Sequence, residues 1–260
     1  MSQTALELTT ALNTDCGEGF GNWHVDDAEI LSVVSDANIA CGFHAGDPDT
    51  LARTCALAAE FGVGIGAHVG FHDLRGFGRR YIAVPRDTLT HDVIYQIGAL
   101  DAFASAAGAV VSYVKPHGAL YHSAARNEHH ARAIVDAITS LNRPLSLLCQ
   151  TDSLLAEYAR ESGIPVTAEG FMDRSYAADG TLVPRSQPGA VIDDPSAAAE
   201  QAVQMITTQT VTAADGSSIP MNVQSLCIHS DSPGAVNLAR TVRSALEDAG
   251  VKIQSAIDHL

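Results

Sequence analysis

The chain has 260 residues, 46% of them hydrophobic and 17% charged, enough apolar material for one large core and too much for an extended disordered chain. Its formal net charge of −15 excludes a nucleic-acid binder, which needs a basic face. No apolar run reaches the roughly 18 residues of a membrane span, and residues 1–10 lack the basic start of a secretion signal. The expectation is a cytoplasmic protein without membrane association. The five cysteines, Cys16, Cys41, Cys55, Cys149 and Cys227, show no CxxC or zinc-type spacing and read as reduced, buried thiols.

A first strand over residues 11–14 runs into Asp15-Cys16-Gly17-Glu18-Gly19-Phe20-Gly21, two carboxylates among glycines that let a ligand approach the backbone. Asp26, Asp27 and Glu29 lead into a short helix over 30–34, where acidic groups offset the helix dipole. The second strand begins at Ala37 and ends in the turn Gly42-Phe43-His44-Ala45-Gly46-Asp47-Pro48. Asp47 is placed to N-cap a helix over 48–61, with Pro48 in its first turn and Gly62 at its end. A third strand from Val63 ends at His68. The loop over 72–80 that follows is the most basic segment, and Arg75, Arg79 and Arg80 suit a phosphate or carboxylate, or pairing with aspartates in a solvated loop.

A long helix over 87–107 carries Val93, Ile94, Ile97, Leu100 and Ala104 on one face. The fourth strand, 109–114, runs into Lys115-Pro116-His117-Gly118-Ala119-Leu120-Tyr121-His122, polar groups that packing alone does not explain. His129 and His130 open the next helix and read as exposed. After a fifth strand (145–149) and a helix (153–161), a sixth unit starts at Pro165 and reaches Glu169, Asp173 and Arg174. Residues 181–188, with Arg185, form a polar excursion, a lid or an edge hairpin, before a helix over 195–208. Asp215-Gly216 marks a turn, and the seventh strand, 225–228, ends at His229-Ser230-Asp231. Pro233 starts the last helix, with Val236, Ala239, Val242 and Leu246 as its buried stripe. Residues 251–257 are an eighth short strand or a tail.

Strand, polar turn and helix thus recur about seven times, without a linker or a low-complexity segment. The fold expected is α/β: a single-domain (β/α) barrel over 1–260, seven-stranded and distorted or incomplete, with an open doubly wound sheet as the second reading. Gathered at one rim, the strand ends present carboxylates and histidines that can exchange protons with a substrate. Alternatively, Asp15, His68 and His117 hold a divalent metal, assembled across strands because no HExxH stands in the chain. There is also no GxxxxGK[ST], GxGxxG or GxSxG motif.

The motifs at 15–21, 37–48 and 76–80, with Lys115-Pro116-His117-Gly118-Ala119-Leu120-Tyr121 and His229-Ser230-Asp231-Ser232-Pro233, resemble the LamB/YcsF family, in family order from residue 11 to about 257. Cys16, Val69 and Ser230 depart from its usual Leu, Pro and Gly. The resemblance implies the A subunit of a prokaryotic 5-oxoprolinase, opening 5-oxo-L-proline to L-glutamate with ATP (and its Mg), alongside B and C subunits. It also implies a barrel similar to those of polysaccharide deacetylases and YdjC-like proteins, some of which bind a metal through an Asp and two His. On that reading Asp15 or Glu18 is the base, His44 or His117 assists, and Lys115 offsets charge. Asn38, Asp47, Arg79, Arg80, Glu169, Arg174, His229 and Asp231 are the candidates for binding substrate or phosphate. Competing readings are a metal-dependent amidase or deacetylase acting without ATP, and a binding subunit whose partner does the chemistry. A homo-oligomer is compatible with either.

Overall fold

The structure, a computed structural model, describes residues 8–23, 25–229 and 234–256. In chain order its elements are β1 (Thr9–Cys16), α1 (Ala28–Leu31), β2 (Asp36–Ala40), α2 (Pro48–Phe61), β3 (Gly64–Val69), α3 (Arg86–Ala106), β4 (Val111–Pro116), α4 (Gly118–Ala124), α5 (Glu128–Ser140), β5 (Ser146–Cys149), α6 (Leu154–Glu161), β6 (Val166–Phe171), α7 (Pro195–Thr208), β7 (Thr210–Thr212), β8 (Ser218–Pro220), β9 (Ser225–Ile228), α8 (Ala235–Asp248) and β10 (Lys252–Ile253). Seven parallel strands follow the order β1-β2-β3-β4-β5-β6-β9, and pairing of β9 with β1 closes the ring. The expected seven-stranded barrel is therefore closed, and the open sheet is overturned. β7 and β8 form a small antiparallel hairpin outside it. The expected eighth strand, β10, is two residues long and adds to β1 beside Thr9 and Thr10, without entering the ring.

The helices start and stop where their caps dictate. Asp47 accepts from the Thr50 amide at 2.8 Å and Gly62 takes φ +67° at the far end of α2. Asn127, Ser153 and Asp194 cap α5, α6 and α7 in the same way. Successive side chains of a strand point to opposite faces. The outer faces bury Leu12, Ile39, Ile65, Val114, Leu147 and Leu226 in one apolar cluster with the helices, including Leu51, Ile97, Ile134, Ala202 and Val242. Ala235 joins the buried side of α8, and Val236, expected there, is only half-buried. Pro233, expected to start that helix, and Ile257, expected at the end of the last strand or tail, lie outside the described residues. All five cysteines are free and buried.

The inside of the ring is polar. Asn13 Nδ2 donates to Ser225 Oγ (2.8 Å), Asn38 Nδ2 donates to Asn13 Oδ1 (2.8 Å), and the Tyr113 hydroxyl donates to Asn38 Oδ1 (2.7 Å). The phenol has room because residue 66 is glycine: a Cβ there would lie 2.1 Å from the Tyr113 ring. At the opposite end of the barrel from the functional turns, Asp36 accepts from Ser255 Oγ (2.5 Å) and the Ala256 amide (3.1 Å), tying the segment after β10 across the floor.

Candidate active site

The register carries the polar ladder to the mouth of the barrel. Asp15 pairs with Asn38, Ala40 with His68, and His68 with Lys115. A cavity of about 290 Å³ opens there, with Asp15, His68, Lys115 and His117 at its base. Parallel strands place their carboxyl ends, and the turns that follow, on one side, which is where such barrels build sites.

Lys115 is the hub. Its Nζ lies 3.0 Å from Asp15 Oδ1, 2.8 Å from Glu169 Oε1, 3.1 Å from Asn13 Oδ1 and 3.2 Å from Cys227 Sγ. Burial opposes its charge, but Asp15, Cys227 and Glu169 outweigh burial and hold the ammonium well above the usual lysine range. Burial likewise pushes the Asp15 carboxyl up. His68 and Lys115 overcome that and keep it well below the usual carboxylate range, so Asp15 is an anion. Asn38 also donates to it, at 2.9 Å.

Beside this knot stand three histidines. The His44 and His117 rings stack at 3.7 Å, 4° from parallel, and His68 meets both edge-on. Burial is the main cause that lowers the pKa of His44 far below the imidazole range and takes that of His117 down to about 3, reinforced by the neighbouring rings. One donor atom from each of Glu18, His44, His68 and His117 falls within 4.8 Å of the others. Both nitrogens of buried His44 lack a hydrogen-bond partner among the described residues, so the donor set suits a divalent cation. This group shares His68 and His117 with the expected triad and adds Glu18 and His44, while Asp15 stands beside it, with Oδ1 on Lys115 and Asn38 and Oδ2 3.3 Å from His68 Nε2.

The facing wall is cationic and aromatic. Arg79, Arg174, Arg185 and His229 line the cavity with Phe171 and Leu182. The Arg174 guanidinium donates to the Ala190 and Val183 carbonyls (3.1 and 2.7 Å), fastening the excursion over residues 174–191 beside the mouth. His229 Nδ1 lies 2.5 Å from Asp173 Oδ2, and its ring stacks on Phe171. That contact fixes the ring orientation of His229, which the sequence did not link to Asp173.

Other expected site residues lie elsewhere. Asp47 caps α2 and accepts from the Gly21 amide at 2.7 Å, so its carboxylate serves the backbone. Arg80 pairs with Asp73 in its own loop and is largely exposed. Neither lines the cavity. Asn38 sits in the barrel interior under Asp15. Asp231 lies outside the described residues. His130, expected at the surface, is buried against Ser123 (2.6 Å) and the Phe71 and Tyr81 rings. The cause is its place on the inward side of α5, a face its neighbour His129 does not share.

The LamB/YcsF family model matches residues 10–260. The chain belongs to that family. Among LamB/YcsF relatives, the 5-oxoprolinase A subunit of Streptomyces avermitilis is 53% identical over 93% of this chain and 97% of its own length. The protein of the same name from Streptomyces griseus is 51% identical over 94% and 98%. The crystal structure of the lactam utilization protein from Thermus thermophilus superposes with a TM-score of 0.91 at 44% identity, covering 95% of this chain and 100% of that one. Among the described residues, no helix is long and apolar enough to cross a membrane.

Proposed function

We propose that this chain is the subunit of an ATP-dependent 5-oxoprolinase that holds 5-oxo-L-proline while its lactam is opened to L-glutamate. The observation that carries this reading is the cavity itself. One small, largely buried site sets an anionic acceptor, Asp15, beside a fixed ammonium, Lys115, facing an arginine wall. The names of the full-length relatives support the same substrate class.

An amide resists hydrolysis because its nitrogen donates into the carbonyl. Phosphoryl transfer from Mg-ATP to the lactam oxygen releases ADP and makes the ring carbon electrophilic; water then adds there, the C–N bond breaks to give the free amine and an acyl phosphate, and a second water releases phosphate to leave the carboxylate of glutamate. Lys115 and Arg79 are the groups placed to offset the charge that develops on oxygen and phosphate. Asp15, ionised by its neighbours, accepts the proton of the attacking water. His229, oriented by Asp173, delivers a proton to the departing nitrogen. B and C subunits complete the enzyme on this reading, and the buried free thiols suit a reducing cytoplasm.

The test is to assemble the chain with its partner subunits and follow ADP and glutamate released from 5-oxoproline and ATP. Both products must appear in step and only with this chain present. Asp15→Asn must lose glutamate formation, and persistence of both products in that variant removes the base assignment. A second reading, metal-assisted amide hydrolysis without ATP, is favoured by the Glu18/His44/His68/His117 group. Turnover that survives omission of ATP and is abolished by a chelator would establish it instead.

A further inference from the structure

Building on the lactam reading of the site, we propose that Arg174 is its specificity residue: the guanidinium receives a carboxylate carried by the substrate, and so restricts the cavity to carboxylated lactams.

The sign is a buried charge without a counter-charge. Arg174 is 5% exposed and lines the cavity. The other buried cation there, Lys115, meets the carboxylates of Asp15 and Glu169. Arg174 makes no ion pair among the described residues, and the carboxylate beside it in the chain, Asp173, is turned to His229 instead. Arg185 adds a second positive charge to the same wall. Burial and Arg185 both lower the pKa of Arg174, yet a guanidinium stays protonated all the same. A buried charge of this kind is costly until an anion meets it, and the open side is the cavity.

The group is held in place before any ligand arrives. Its Nε donates to the Ala190 carbonyl at 3.1 Å and its Nη2 to the Val183 carbonyl at 2.7 Å. Gln201 Nε2 donates to the Arg174 carbonyl at 2.8 Å and to those of Phe171 and Met172 at 3.2 and 3.1 Å, fixing the backbone as well. Nη1 is left without a hydrogen-bond partner among the described residues. Its N–H groups suit one planar carboxylate, and little side-chain freedom remains to be lost on binding. A phosphoryl group, with its three acceptor oxygens and close to two charges, asks for more donors than this nitrogen offers. Beside Arg174, Leu182 and Phe171 supply apolar surface for ring methylenes, Phe171 being edge-on to Tyr121 at 6.0 Å and stacked with His229 at 5.9 Å.

The experiment assembles the chain with its partner subunits and measures kcat/KM for 5-oxo-L-proline and for its carboxamide, 5-oxo-L-prolinamide. Wild type is expected to prefer the acid by at least about 100-fold, as a site with a polar group left unpaired by the analogue does. Arg174→Gln is expected to lose most of that preference by turning over the acid more slowly, with carboxamide turnover little changed, and Arg174→Lys to keep part of it. If Arg174 only fastened the excursion over residues 174–191, both substrates would slow together, which overturns the proposal. A preference that survives in Arg174→Gln overturns it too, as does a raised KM for ATP with the preference intact, which would assign the group to phosphate. Circular dichroism checks the fold of each variant. Equal turnover of acid and carboxamide by wild type overturns the proposal without any variant. All these outcomes leave the lactam reading standing, whereas absence of turnover with either lactam strikes both.

Discussion

Inside the barrel, Asn13, Asn38, Tyr113, Lys115, Glu169 and Ser225 meet through hydrogen bonds and ion pairs, whereas the outer faces of the same strands press Leu12, Ile39, Ile65, Val114 and Leu226 onto the helices. The outer shell needs only volume and apolarity, and many side chains would serve it. The interior is directional, because each buried polar atom depends on particular partners at hydrogen-bond distance. Stability and site geometry are therefore carried by opposite faces of one sheet, and substitutions on the two faces should have different signatures.

The largest effect is expected at the hub. Lys115→Met leaves Glu169 a buried carboxylate without the ammonium that pairs with it and leaves Asp15 to His68 and Asn38, a change that costs about 3–5 kcal/mol. Denaturant midpoints should show this loss, glutamate formation by the assembled enzyme should cease, and Lys115→Met/Glu169→Gln should recover part of the stability without the activity. On the shell side, Ile97→Ala in α3 removes a fully buried side chain and should cost about 2–5 kcal/mol. Substrate affinity measured on the folded fraction should stay unchanged, and a shift there would break the separation.

A smaller effect sharpens it. Tyr113→Phe removes the donor to Asn38 Oδ1, at about 1–3 kcal/mol, and loosens Asn38 under Asp15. The expected readout is reduced activity out of proportion to the loss of stability. Smallest is Asp47→Ala, at the same rim but outside the interior, about 1 kcal/mol as a lost cap. Hydrogen bonds from the Gly21 and Thr50 amides hold the Asp47 carboxyl below its usual value of 3.8. Its contribution is thus complete above that value and disappears as pH falls through the lower folded-state pKa. Urea midpoints of wild type and variant should differ at pH 7 and converge in acid.

The sequence made the barrel legible because each strand–turn–helix unit is punctuated locally, as by Asp47 and Pro48 before α2 and Gly62 after it. The location of the chemistry was legible too, since His68, Lys115, His117 and His229 directly follow apolar runs. Which groups meet was not. Arg80 reads as a ligand group until its loop folds back on Asp73, and Asp47 until the Gly21 turn comes to rest on it. Glu18 and His44 join His68 and His117 only because β1 to β4 lie side by side. The fit of Tyr113 over Gly66 joins positions 47 residues apart in the chain, and no local pattern announces it.

The free cysteines have a use that packing alone does not suggest. Cys227 lies on β9, Cys16 on β1, Cys41 just past β2 and Cys55 on α2, so four of them share one side of the ring, and Cys149 on β5 marks the other. Burial raises every one of these thiols above its ordinary pKa, Cys55 and Cys149 to about 12, and an intact barrel should leave all of them inert to alkylation at neutral pH. Modification must then wait for an opening event. Identifying which cysteine is alkylated first would show at which seam the ring parts, with native residues as the clock.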